Sequence, residues 1–250
     1  MDWSKAKSLL IIAFLAVNIF LASQLIKAKG EQTQNQEVSQ VTQLQLEELI
    51  ADRNIRIPDN LPQKAFPVTY LEAEPTKPES LLEQSDQWEP VEEGRYRIRF
   101  QPPLATGKEL ESILERYVPD FQTYREWRRP NPDEKVYYQH LDHRPIFDDR
   151  LIVRLENGNI KELELLPVDV RVDQDNKTQT GLSAQDALVK LVETGRIKKG
   201  STVTDVTLGY HGQFYEGESR FLFPVWRIQT EELTFYVNAL TSEIETISLD

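Results

Sequence analysis

The sequence predicts an α+β protein: a single N-terminal transmembrane helix followed by two tandem antiparallel-sheet-plus-helix domains. Three observations predict it. Residues 9–26 read LLIIAFLAVNIFLASQLI, a predominantly apolar run unlike anything else in the chain. Residues 94–166 place alternating strand patterns around one amphipathic helix, the composition of an antiparallel sheet covered on one face. After the charged loop at 173–177 the same order of helix and strands returns, as a repeat of architecture rather than of residues. The expected division is residues 1–29 as cytoplasmic tail and anchor, 30–62 as linker and juxtamembrane helix, 63–170 as the first α+β domain, and 171–250 as the second.

The anchor comes first. A helix over residues 9–26 is about 27 Å long, close to a hydrocarbon core of about 30 Å. Lys5 and Lys7 precede it, Lys27 and Lys29 follow it, and Trp3 sits where an interfacial aromatic belongs. A cleaved secretory signal would have a shorter apolar core and a small-x-small cleavage site, whereas Ala22 and Ser23 are preceded by Phe20 and Leu21. The lysine count is equal on both sides and does not set the orientation. The short tail stays inside more simply than the long body does, so a single pass with the C-terminal domains outside the cell is expected.

Residues 30–40 are polar and read as a tether. Leu46, Leu49 and Ile50 follow helical spacing, so residues 43–53 form a juxtamembrane helix that Asn54 and Pro58 stop. Its stripe has two readings: a surface for a partner, or packing on the chain's own body. Prolines at 58, 62, 67, 75 and 78 exclude a long helix next, leaving a short edge strand near 66–71. Residues 94–101 alternate Tyr96, Ile98 and Phe100 against Arg95, Arg97 and Arg99, a half-buried strand whose arginines suit an anionic ligand or, as is commoner, a solvated face that meets neighbouring carboxylates. Pro102-Pro103 is expected to break that strand, and a helix over 107–118 follows.

Strands are expected at 135–141, 150–156 and 160–166, the last two joined at Asn157-Gly158 by a tight hairpin. In the second half, Ser183 and Asp186 make a capping-box-like start to a helix that Gly195 ends. Strands at 202–210, 221–229, 233–238 and 244–248 complete the pattern.

Composition narrows the function. The net charge is −12; residues 1–29 carry four Lys and one Asp, +3, which leaves −15 for the rest. Nucleic acid is an unsuitable partner for such a body, because phosphates need Lys and Arg. With no cysteine, there is no disulfide, thiolate metal site or cysteine nucleophile. No G-x-S-x-G, H-E-x-x-H or phosphate loop occurs, so no enzyme and no cofactor is expected.

Several residues have a functional and a structural reading. Asn18 lies near the middle of the span, where its amide either bonds a polar group on another helix or bonds its own. Ile11, Leu15, Asn18 and Ala22 share one stripe of that helix, which makes them candidate contacts for partner transmembrane helices. His140 and His143, with Asp142, Asp148 and Asp149, invite a metal site. If 140–143 continue a strand, positions three apart face opposite sides, so surface polar residues are the better reading. His211, beside two glycines, reads as a loop residue. Trp226, Phe221, Phe223, Phe235 and Tyr236 suit a carbohydrate platform or, as is commoner for alternating aromatics, the core of a sheet.

The opening MDWSKAK running into the anchor, the helix at 46–58, and the stretches Phe223–Ile228 and Phe235–Thr241 resemble the YycI (WalI) family of bacterial membrane-anchored regulators. The final hairpin is also similar to PepSY-like domains; where a glycine is usual at its last turn, this chain has Ser242. The resemblance implies a partner rather than a substrate: the WalK (YycG) sensor histidine kinase of cell-wall metabolism, together with a YycH-type regulator as a heterodimer. Transmembrane helices would carry much of that contact. Other expectations are a tethered module that binds peptide or glycan outside the cell, and a PepSY-like protease inhibitor.

Overall fold

Helix and strand periods along the chain become three helices and fourteen strands among the described residues. The computed structural model describes residues 14, 43–62, 66–75, 85, 87–91, 94–106, 110–127, 131–171, 178–212 and 220–248. Among them no helix is long and apolar enough to cross a membrane. The expected span at 9–26 lies outside them apart from residue 14, which is helical.

The first helix, α1, covers residues 43–53 as its spacing requires. Asn54 adopts φ 50° and ends it, with Asn54 N–H donating to Ala51 O and Ile55 N–H donating to Ile50 O. These are the two bonds of a Schellman stop, with asparagine as the left-handed residue. Strands β1 (Pro67–Val68) and β2 (Leu71–Pro75) follow, then β3 (Glu89–Pro90) and β4 (Tyr96–Leu104). The proline pair does not break β4. The strand continues to Leu104 with a register shift against its neighbour between Arg99 and Leu104, where the prolines have no N–H to donate. Helix α2 is Leu110–Tyr117, ending one residue before the expected 118, while residues 107–109 of that expectation lie outside the described residues.

A single 3-10 turn leads into β5 (Tyr124–Trp127), β6 (Glu134–Leu141), β7 (Arg144–Glu156), β8 (Asn159–Leu166), β9 (Val168–Arg171) and β10 (Gln179–Thr180). Strand β7 begins six residues before its expected start. Asp142 and His143 both have positive φ and close a two-residue hairpin, with Leu141 opposite Arg144. The Asn157-Gly158 turn closes the next hairpin in the same way, Glu156 opposite Asn159.

Helix α3 (Ala184–Glu193) carries a true capping box: Asp186 N–H donates to Ser183 Oγ at 3.1 Å and Ser183 N–H to the Asp186 carboxylate at 3.3 Å. Strands β11 (Val203–His211), β12 (Arg220–Thr230), β13 (Leu233–Asn238) and β14 (Ile244–Ser248) finish the chain.

The sheet path runs β14-β13-β12-β11-β7-β8-β4-β3, with β6 and β5 continuing from β7. Among the described strands every pairing is antiparallel except β11 on β7, which meet in parallel at Tyr210 and Ile146; outside the strands, Arg56 makes a parallel bridge with Thr202. Two main cores result. One gathers α2, Trp88, Ile98, Leu151 and Leu163; the other gathers α1, α3, Trp226, Phe235 and Val237. Residues 66–75 precede the first core in sequence, yet their hydrogen bonds go to later elements. β1 pairs with β10, and β2 lies between β9 and β12.

Candidate functional site

The arrangement with chemical potential lies where the two halves of the sheet meet. Alternation puts Asp205, Thr207, Gly209 and His211 of β11 on the face opposite α3, in rows with Arg227 and Phe223 of β12 and Tyr236 of β13. Phe147 of β7 crosses this face at Gly209. A Cβ there would stand 2.5 Å from Pro145 O and 2.6 Å from the Phe147 ring, so only glycine admits the crossing. Trp127, Val136, Tyr138 and Ile152 then close over Val225 and Tyr236 as a third, smaller apolar cluster.

Arg227 is sealed inside this joint at 2 % exposure. Its guanidinium lies 3.8 Å from the centre of the Trp127 ring and 4.3 Å from that of Phe147, with the Asp205 carboxylate at 3.8 Å. Burial holds the Asp205 carboxyl above its ordinary value despite that cation. Among the described residues, Nε and Nη2 of Arg227 have no hydrogen-bond acceptor.

His211 is the last residue of β11, not a loop residue, and is largely buried. Its Nδ1 stands 3.1 Å from Asp148 of β7 and its Nε2 3.4 Å from Glu245 of β14, while the ring stacks on Tyr236 at 4.2 Å. Burial alone would lower its pKa, but the two carboxylates together hold it above the ordinary 6.5. The same Asp148 accepts from Gly212 N–H at 2.9 Å. One histidine thus ties three strands.

On the α3 side of the same junction is an open cleft of about 400 Å³, lined by Phe66, His143, Arg144, Val206, Leu208 and Trp226. Arg144 braces its wall by donating to Pro67 O at 2.9 Å. On the first half of the sheet, the arginine face of β4 meets carboxylates as its alternation requires. Arg97 contacts Glu164 at 3.1 Å, Arg99 contacts Glu162 at 2.9 Å, and Arg154 joins both glutamates. Burial would raise Glu164, but Arg154 and Arg97 hold it below the usual carboxylate range.

The structure disperses the residues that invited a metal. His143 is exposed on the hairpin turn, and His140 is half-buried against Tyr138 O. Asp149 accepts from Tyr124 Oη at 2.7 Å and Val168 N–H at 3.0 Å, away from Asp148 and its histidine. The candidate aromatics divide between faces: Trp226 and Phe235 are core, while Phe221 and Phe223 are exposed. Leu46 is buried in the core around α3, and Leu49 and Ile50 pack against it partly buried. Two side-chain hydrogen bonds, Gln45 to Glu193 and Arg53 to Val192 O, hold α1 there, and Gly200 N–H donates to Arg53 O at 2.9 Å. Ile11, Leu15, Asn18 and Ala22 lie outside the described residues.

Arg227 is not singled out in the sequence, and Asp148 is picked out there only with the possible metal ligands, not as the partner of His211. The available signal was a lone charge within an apolar strand, Trp226-Arg227-Ile228 and Phe147-Asp148, since a buried charge needs a partner.

Comparison with known proteins completes the picture. No curated protein matches the chain significantly. A crystal structure of an uncharacterized protein from Eubacterium rectale ATCC 33656 is similar over 78 % of this chain and 91 % of its own, at 12 % identity and a TM-score of 0.47. The model of the YycI protein family matches residues 33–240, spanning α1 through the end of β13. That match covers most of the sequence, and the chain belongs to the YycI family, a regulatory family not known for enzymatic activity.

Proposed function

We propose that this chain is a non-enzymatic, membrane-anchored regulator that binds and modulates the WalK/YycG sensor histidine kinase together with a YycH-type partner. The family match over residues 33–240 carries the reading. The apolar run at 9–26 supports the anchor, with residues 1–8 in the cytoplasm and two tandem α+β units outside the cell, the second PepSY-like. In this reading the stripe Ile11, Leu15, Asn18 and Ala22 lies against the transmembrane helices of its partners. A helix that packs better against one kinase state than the other shifts that equilibrium by the difference in binding free energy. Interhelical bonds of the Asn18 kind average about 0.6 kcal/mol, so close packing at Ala22 must add to it.

The test places a photo-crosslinking residue at position 15 in living cells and identifies the captured helix. Kinase and YycH-type adducts are expected, and Asn18→Leu should weaken the two-hybrid signal with the kinase. Replacing residues 9–26 by an unrelated transmembrane helix should abolish control of the kinase while leaving the protein in the membrane. Undiminished control after that replacement would refute the reading.

A further inference from the structure

Two carboxylates from opposite halves of the sheet converge on one imidazole. Asp148 of β7 stands 3.1 Å from Nδ1 of His211, and Glu245 of β14 stands 3.4 Å from Nε2. Among the described residues neither ring nitrogen makes an aligned hydrogen bond, so charge is what joins the three groups. Only the imidazolium suits both sides at once. A neutral imidazole keeps one N–H and presents a lone pair from its other nitrogen, which here would face a carboxylate.

The two carboxylates are not held alike. The Asp148 side chain is 4 % exposed and accepts from Gly212 N–H at 2.9 Å, so it is fixed in place. The Glu245 side chain is 38 % exposed and free to turn toward water. It belongs to the last strand, which among the described residues pairs with β13 alone. Little else fixes that strand: Ile244 packs partly buried against the α3 core, whereas Thr246 and Ile247 are exposed. Segments with few buried contacts open locally before the rest of a fold does. The remaining neighbours of the imidazole are Tyr236 of β13, stacked on it at 4.2 Å, and Phe223 of β12, opposite it in register. Arg227 of β12 and Tyr138 of β6 act on the Tyr236 hydroxyl.

We propose that His211 is a proton-operated latch for β14. Charged, it ties the strand to the seam through Glu245; neutral, it keeps its proton on Nδ1 toward Asp148, turns a lone pair on Glu245, and lets β14 loosen from β13. Burial alone would favour the neutral ring, but the carboxylates outweigh it and raise its pKa above the ordinary 6.5, so release falls on the alkaline side of that value. The step is local, distinct from unfolding of the whole chain, because Asp148 and the α3 core take no part in it. The proposal is independent of the membrane and kinase reading, which would survive its failure.

Full-length protein in lipid nanodiscs, followed by amide exchange from about pH 5.5 to about pH 9 with rates corrected for base catalysis, supplies the test. Wild-type protection of β14 should fall about two- to fivefold as His211 loses its charge, the range of one partly exposed pair, while α3 and β7 keep theirs. In Glu245→Gln the amide can accept from Nε2–H or donate to the bare nitrogen, so protection of β14 should stay level across the same range. His211→Gln, with nothing to titrate at that position, should be level too. Should either variant disturb the core, faster exchange in α3 will show it, and the wild-type profile with the other variant still decides. A level wild-type profile overturns the proposal, and so does an equal slope in His211→Gln, which would place the titration elsewhere. Loss of protection in α3 together with β14 overturns it as well, since the whole molecule would then be opening.

Discussion

His211 concentrates the pH response of the molecule. The groups facing it are Asp148 from β7, Glu245 from β14 and the ring of Tyr236 from β13. Its folded pKa lies above the ordinary 6.5 because the carboxylates outweigh burial. The imidazolium therefore contributes its full stabilisation below the unfolded value, and that contribution is lost as pH rises through the folded one. Wild-type melting temperature should fall across that window relative to His211→Gln, and parallel profiles would contradict the ion-pair account. Ser242 makes a second prediction. It holds φ 62° at the turn before β14, a left-handed conformation that costs an L-residue about 1–2 kcal/mol. Glycine brings extra freedom to the unfolded chain, so Ser242→Gly should gain about 0.5–1 kcal/mol in urea denaturation.

At the scale of elements, local chemistry was readable and non-local pairing was not. The α3 helix announces itself twice in sequence, through Ser183 and Asp186 at its start and Gly195 at its end. Both signals work: the capping box forms, and Gly195 N–H and Arg196 N–H close a Schellman stop onto Val192 O and Leu191 O. Ser183→Ala should cost about 1 kcal/mol in denaturant unfolding, while replacement by Thr should recover most of it. The hairpins at Asn157-Gly158 and the strands β13 and β14 were equally legible, because turn chemistry and alternation are written within a few residues. Asp142-His143 was missed, since Asp-His is a weak signal for a turn with two positive φ angles. The destinations of β1 and β2 were hidden for another reason: nothing in Pro67–Val68 specifies Gln179–Thr180 as its partner. The candidate site suffered the same way, Arg227 needing Trp127 and Phe147 from the other half of the chain.

For the whole molecule, the joint between the sheet halves rests on a buried cation that is poorly matched. Arg227 has aromatic rings above it and Asp205 at 3.8 Å, but no acceptor for Nε or Nη2 among the described residues. Replacing a buried ion pair by apolar atoms of similar volume is often neutral or stabilising. Arg227→Met should accordingly leave unfolding stability unchanged or raise it. Arg227→Ala, which also empties the aromatic box, should lower it by about 2 kcal/mol or more. A loss as large for Met as for Ala would show that the charge, rather than the packing, holds the joint.

The short strand at 71–75 has one more implication, for biogenesis. Its partners are residues 168–171 on one side and 220–222 on the other, so the ribosome must pass position 222 before that strand can dock on both sides. Topologies dominated by distant pairings assemble slowly. A nonsense codon anywhere before position 220 therefore leaves an early segment with one edge bare, and the nascent product should be a target for proteolysis rather than a functional fragment.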